Sequence, residues 1–162
     1  MRIGVVSDTH NNLANVREIV SLFNAAGVER VVHTGDITRA KTLDVLAGLD
    51  APLVGVFGNN DVERDDLEAS ARAHGFTLAE PPLELTWAGR RIVVVHDPRD
   101  LDALFPDDHD LALHGHTHFH RLERVGGGRL VFNPGECAGH MKGYNAVGVV
   151  DLADLHASLL KF

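Results

Sequence analysis

Residues 3–10 read Ile-Gly-Val-Val-Ser-Asp-Thr-His. The apolar run has the length of a buried strand and stops at two polar donors, Asp8 and His10. The Asn11-Asn12 pair supplies a helix cap, after which Leu13, Val16, Val20 and Phe23 recur at helical spacing until Gly27 stops them. The same unit repeats outward along the chain. Val31-Val32 leads into Gly35-Asp36, a helical pattern carries Leu43, Leu46 and Leu49, and Leu53 to Phe57 ends in Gly58-Asn59-Asn60-Asp61. A polar helix from Asp65 to His74 closes at Gly75. This β-α-β-α-β order predicts an α/β fold with a parallel sheet at its centre.

The second half reads differently. Leu83 to Trp87 and Arg90 to Val95 flank Ala88-Gly89 as a hairpin. A short helix over Leu101 to Phe105 precedes a strand at Leu111 to His114. Phe119 to Val125 and Arg129 to Phe132 make a second hairpin about Gly126-Gly127-Gly128, and Tyr144 to Leu152 reads as a further strand. The sheet is therefore expected to begin parallel and finish antiparallel, or to divide into two packed sheets with helices outside. No linker or internal repeat interrupts the 162 residues, so one domain spanning 1–162 is expected.

The composition, 44% hydrophobic and 23% charged, excludes a disordered or fibrous chain. Fifteen Lys and Arg against 23 Asp and Glu leave a net charge of −8, which repels long nucleic acid and anionic lipid. Cys137 is the only cysteine, which excludes a disulfide framework and a multi-thiolate zinc site. Arg2 is followed by a short apolar run that meets Asp8, unlike a signal peptide, and no apolar run is long enough to span a membrane. A cytoplasmic location with no membrane partner is the expectation; self-association to a homo-oligomer stays open. Of 11 histidines, five lie between His109 and His120, and metal binding is the first chemistry that such a concentration suggests.

Each strand-like run ends in a donor: Asp8 and His10, then Asp36, then Asn59, then His96, then His116 and His118 of Gly115-His116-Thr117-His118. Ligands bind beyond the carboxyl ends of strands in open α/β sheets, so these loops should converge on one edge. Seven side chains fill the roughly eight positions of two four-coordinate ions if one carboxylate bridges. Asp36, alone after its strand, is the natural bridge. Oxygen and nitrogen donors without thiolate suit two divalent ions, with Mn²⁺ favoured and Fe, Zn²⁺ or Ni²⁺ also fitting. Two such ions with Asp8 and Asp36 leave a local charge of about +2, which attracts a small phosphate ester into an otherwise acidic protein. Paired metals about 3.5–4 Å apart also activate a shared water, so metal-assisted phosphate ester hydrolysis is the leading expectation.

In this order, Asp8-Thr9-His10, Gly35-Asp36, Gly58-Asn59-Asn60-Asp61, His96, Gly115-His116-Thr117-His118 and Asn133-Pro134-Gly135 resemble the calcineurin-like metallophosphoesterases, particularly their small bacterial and archaeal phosphodiesterase branch. The resemblance implies a four-layer α-β-β-α sandwich, with two mixed sheets and helices on both outer faces. It implies that Asp8, His10, Asp36 and His118 hold one metal and that Asp36, Asn59, His96 and His116 hold the other. It further implies that a hydroxide bridging the ions attacks small phosphodiesters; nucleotide-derived esters are one candidate class. Asp36, Asn60 and Asp61 are the catalytic candidates, with Asp61 orienting a ligand or the Asn59 loop. A phosphomonoesterase or pyrophosphatase is the nearest alternative, and a non-catalytic scaffold of the same fold is the alternative of another class. Three positions depart from the family pattern. Asn60 stands where many relatives have His and supplies no proton; Asp97, followed by Pro98, replaces the usual Gly; Glu136 replaces the usual Ser.

The remaining histidines have plainer readings. His33 lies in an apolar strand and reads as a hydrogen-bonded core residue. His114 and His120 read as lining or surface residues, and His74, His109, His140 and His156 as surface. Cys137 reads as a small buried residue, and Asp107 to Asp110 as a solvated loop.

Overall fold

In a computed structural model, which describes residues 1–101, 105 and 108–162, the opening apolar run is strand β1 (Arg2–Val6). Alternation along it sets the layers. Ile3 and Val5 enter the core between two sheets, whereas Val6 faces the helices. Gly4 faces the helices too, and a Cβ there would run into the ring of Phe23. The missing side chain lets α1 (Leu13–Ala26) lie close against β1. The side chain of Asn12 caps this helix by accepting from the N–H of Asn15 at 3.3 Å, and Gly27 ends it at φ 61°.

The chain continues through β2 (Arg30–His33), α2 (Ala40–Leu46), β3 (Leu53–Val56), α3 (Arg64–Ala73) and β4 (Thr77–Ala79). Strands β1 to β4 are parallel; β10 (Ala146–Asp151) and β11 (His156–Lys161) extend the sheet antiparallel on the other side, giving the order β11-β10-β1-β2-β3-β4. The second sheet runs β5 (Leu83–Trp87), β6 (Arg90–Val94), β7 (Leu111–Leu113), β9 (Arg129–Asn133), β8 (Arg121–Val125), with β6, β7 and β9 parallel and an antiparallel strand at each edge.

Both sheets are mixed, and they pack face to face over Ile3, Val5, Val32, Ile92, Val94, Leu113 and Phe132. Each of these fully buried side chains contributes about 1.5–3 kcal/mol. Helices α1 to α3 cover the outer face of the first sheet through Val16, Ile19, Phe23, Leu43, Leu46 and Leu67. On the outer face of the second, Val93, Val95, Ala112 and Val131 pack with Leu101 and Phe105, behind a 3-10 turn at Pro98–Asp100. The helix expected over Leu101 to Phe105 falls mainly outside the described residues, as does Asp107 of the acidic stretch. The architecture is an α/β sandwich of two mixed sheets, as expected. Among the described residues, no helix is long and apolar enough to cross a membrane.

Several local expectations need correction. Strands β4 and β11 are additional: the first is three residues long, and the second alternates half-buried with exposed positions at a sheet edge. His109 is buried rather than on the surface. Asp110 accepts from the N–H of Arg91 and the guanidinium of Arg90, which pins this segment to β6 and turns His109 inward. His114 is also buried, beneath the loop after β7, and burial lowers its pKa to about 4. His33 and Cys137 lie in the core as expected, and His156 is exposed.

Candidate metal centre

The carboxyl ends of β1, β2 and β3 lie together because the strands are parallel, and those of β6, β7 and β9 do so for the same reason. Asp8 and His10 follow β1, Asp36 follows β2, and Asn59, Asn60 and Asp61 follow β3; His96 follows β6, and His116 and His118 follow β7. The sheets meet at this edge. The N–H of His116 donates to Asp8 Oδ2 at 3.1 Å, and the imidazole of His96 reaches the carbonyl of Thr34 at 2.8 Å. A Cβ on Gly115 would strike Ser7 Oγ and Asp8 Oδ2, so glycine is required where the end of β7 presses on the end of β1.

The backbone here is strained. Among the described residues, nine non-glycine positions have positive φ, and seven of them, Asp8, His10, Asn11, Asp36, Thr38, His116 and His118, belong to these loops. Such conformations cost of order 1–3 kcal/mol each and persist only where the surroundings hold them.

All seven predicted donors converge. Asp36 Oδ2 is 3.4 Å from His10 Nε2 and 3.5 Å from His96 Nε2, so one oxygen lies within reach of an imidazole from each sheet. Asp8 Oδ1 is 3.4 Å from His118 Nε2 and 3.9 Å from His10 Nε2. Asn59 Oδ1 is 3.0 Å from both His96 Nε2 and His116 Nδ1. Ligands about 2.1 Å from an ion are separated by roughly 3.0–3.4 Å, and all of these spacings except the 3.9 Å one between Asp8 and His10 lie within about 0.1 Å of that range. Among the described residues three groups, Asp8 with His10 and His118, Asp8 with Asp36 and His96, and His118 with Glu136 and His140, each bring three ligand atoms within 4.8 Å of one another.

The electrostatics call for cations. Asp8, Asp36, Asp61 and Glu136 are all buried, and their contacts are histidines, a hydroxyl, an amide and backbone N–H groups rather than lysine or arginine. Asp8 Oδ1 and His10 Nε2 are buried without a hydrogen-bond partner, and both point into the cluster. Burial pushes Asp8 above the ordinary carboxylate range and lowers His10. At Asp36 burial acts upward as well, but the contacts from His96 and Asn60 outweigh it and hold the group low. Divalent cations would satisfy these donor atoms and reverse the burial penalty on the carboxylates.

A shell of supports surrounds the donors. Asp61 accepts from the N–H groups of Asp36 (3.0 Å), Gly58 (2.7 Å) and Thr38 (2.6 Å), tying the loops after β2 and β3 together. Asn60 donates to both oxygens of Asp36, from its N–H at 2.9 Å and its amide at 2.8 Å. Behind Asp36, His33 accepts from the N–H of Gly35 at 3.2 Å and faces Thr9 Oγ1 at 3.1 Å. With one nitrogen accepting, the other is the donor to Thr9, and the ring is neutral; burial lowers its pKa to about 3.

Two residues extend the site beyond the sequence reading. Glu136 is fully buried: Oε2 lies 3.0 Å from His118 Nδ1, and Oε1 accepts from the N–H of Met141 at 2.6 Å. Its signal was the carboxylate after Asn133-Pro134-Gly135. His140 is exposed as expected, yet its ring stacks on that of His118 at 5.5 Å and lies 5.4 Å from that of His10. No motif surrounds it, so only the fold reveals that position. Asp97 pairs with Arg99 and comes within 3.9 Å of His116 Nε2.

Comparison with known proteins gives a consistent picture. The family model for the calcineurin-like phosphoesterase superfamily domain matches residues 1–155. Phosphodiesterase MJ0936 of Methanocaldococcus jannaschii is 31% identical over 155 residues, covering 93% of each chain. A solved structure described as a novel archaeal phosphodiesterase superposes with a TM-score of 0.92 at 29% identity, covering 100% of both chains. Fold alone is shared with the E. coli phosphoesterase Yfce, at a TM-score of 0.71, 20% identity and coverage of 99% of this chain and 98% of the other.

Proposed function

The chain belongs to the calcineurin-like phosphoesterase superfamily, and from that membership we propose that it is a phosphodiesterase acting on small phosphodiesters with two divalent ions. Asp8, His10, Asp36 and His118 would hold one ion, and Asp36, Asn59, His96 and His116 the other. The observation that carries this reading is the position of Asp36 Oδ2, within 3.5 Å of imidazole nitrogens from both sheets. Asp8 is the less suitable bridge because its Oδ1 faces His10 and His118, two imidazoles assigned to the same ion, and its Oδ2 accepts from Ser7 and from the N–H of His116. Mn²⁺ is the favoured metal for this set of oxygen and imidazole donors.

Divalent ions bound here supply an activated water at neutral pH and neutralise charge on the phosphoryl oxygens. The protein's own part is positioning. Thr34 and Glu136 fix the rotation of His96 and His118 by taking up their Nδ1 positions, which leaves Nε2 of each ring to the ion. Asp61 holds the backbone that carries Asp36 and Asn59. Asn60 places an amide at the edge of the site, where it can donate to a phosphoryl oxygen but cannot protonate a leaving group. No serine or cysteine is assigned a nucleophilic role; burial pushes the Cys137 thiol well above its ordinary value.

A panel of metals against substrates tests the reading. The protein freed of metal and reloaded with Mn²⁺, Ni²⁺, Zn²⁺ or Mg²⁺ should hydrolyse an aryl phosphodiester faster than the matching monoester, with Mn²⁺ among the best ions. Metal binding without hydrolysis of any phosphate ester would remove the assignment.

A further inference from the structure

A cavity of about 450 Å³ opens where Asn59, His96 and His116 meet, while His10 and His118 take no part in its lining. It therefore adjoins one of the two proposed ion positions. Phe57, Pro81 and Arg64 form part of its wall. The Arg64 guanidinium carbon lies 4.0 Å from the centroid of the Phe57 ring, and Phe57 itself is only 3% exposed. The guanidinium thus rests on a buried ring, in a residue that lines the cavity. A guanidinium held in this way offers a flat cationic surface on which an aromatic group stacks, with hydrogen-bond donors along its edge.

The charges around the cavity argue against a second anion. Arg64 already faces Glu80, with Nη2 3.5 Å from Oε1, and Arg99 is paired with Asp97. Asp100 adds a further carboxylate, so two arginines face three acids, a balance of −1. A group bearing its own phosphate meets a net negative charge in this wall. The volume lies within the range of ordinary small-molecule pockets.

We propose that this cavity receives the second ester group of a phosphodiester and selects a flat, uncharged group of nucleoside size, with Arg64 as the residue that determines this specificity. The inference rests on the phosphodiesterase reading above and names the class of ester that the same site prefers. Stacking against one base contributes about 1–3 kcal/mol, roughly five- to 150-fold in kcat/KM.

Three esters sharing one leaving group test the assignment on the metal-loaded enzyme: methyl p-nitrophenyl phosphate, thymidine 5′-(p-nitrophenyl phosphate), and the latter carrying a 3′-phosphate. The nucleoside ester should exceed the methyl ester in kcat/KM by about tenfold or more, and the added phosphate should erase the advantage. Arg64→Ala should reduce the nucleoside-to-methyl ratio about tenfold, mainly through KM, and Arg64→Lys, which keeps the charge but not the plane, should not restore it. Equal kcat/KM for all three, a preference for the phosphorylated ester, or an unchanged ratio in Arg64→Ala would overturn the cavity assignment alone. Absence of turnover with all three would overturn the phosphodiesterase reading and this inference with it.

Discussion

Glu136 Oε2 lies 3.0 Å from His118 Nδ1, a contact made by a fully buried carboxylate to the imidazole whose other nitrogen faces Asp8. The pair reproduces the carboxylate–histidine arrangement that orients metal-binding imidazoles and raises their basicity. Position 136 therefore bears on ion affinity.

Glu136→Gln should weaken binding of one ion by about 10–100-fold and leave the second within a few-fold, as measured by titration calorimetry with Mn²⁺ or Zn²⁺. Thermal unfolding of the metal-free variant checks that the fold survives. Unchanged affinity at both positions would show that Glu136 does not support His118.

Asp36→Asn should abolish turnover and reduce occupancy at both ion positions, read as metal content after gel filtration. His116→Ala and His118→Ala should each deplete a different ion. Loss of only one ion in Asp36→Asn would contradict its placement as the bridge.

Asn60 offers a hydrogen bond but no proton. Rates should therefore fall steeply as the leaving-group pKa rises across a series of aryl esters, and Asn60→His should flatten that dependence by supplying a general acid. A flat dependence in the unsubstituted protein would count against the assignment.

The buried, neutral His33 links acid stability to the fold. Its folded-state pKa of about 3 is depressed from the ordinary 6.5, so the unfolded chain binds the proton more readily. Its contribution is fully present above about pH 6.5 and is lost as pH falls toward 3, a window worth a few kcal/mol. His33→Gln should reduce the slope of unfolding free energy against pH in that window, measured by urea titration of metal-free protein. An unchanged slope would mean that His33 is not kept neutral.

Much of this arrangement is legible in the chain because the signals are local. An apolar run ending in Asp8, Asp36, Asn59, His96 or His116 states both the strand and the place where it stops, and parallel pairing then gathers the ends. What was hidden depended on distant contacts. Strand β11 is an edge whose half-buried positions acquire meaning only beside β10. His109 turns inward because Asp110 binds Arg90 and Arg91, about 20 residues away in the chain. His140 carries no motif, and its place beside His10 and His118 follows from the course of the chain after Gly135. The cavity at Arg64 likewise joins residues from α3, the loop after β4 and the loop after β6.

Four of the seven converging donors hang from the first sheet and three from the second. A cation pair would therefore act as a clasp across the mouth of a seam whose interior is filled with packed hydrocarbon. Each ion present at a hundredfold excess over its dissociation constant would add about 2.7 kcal/mol to the closed form. Chelation should then loosen this rim first, with amide exchange quickening in the loops after β1 and β7 while the strands behind them stay protected.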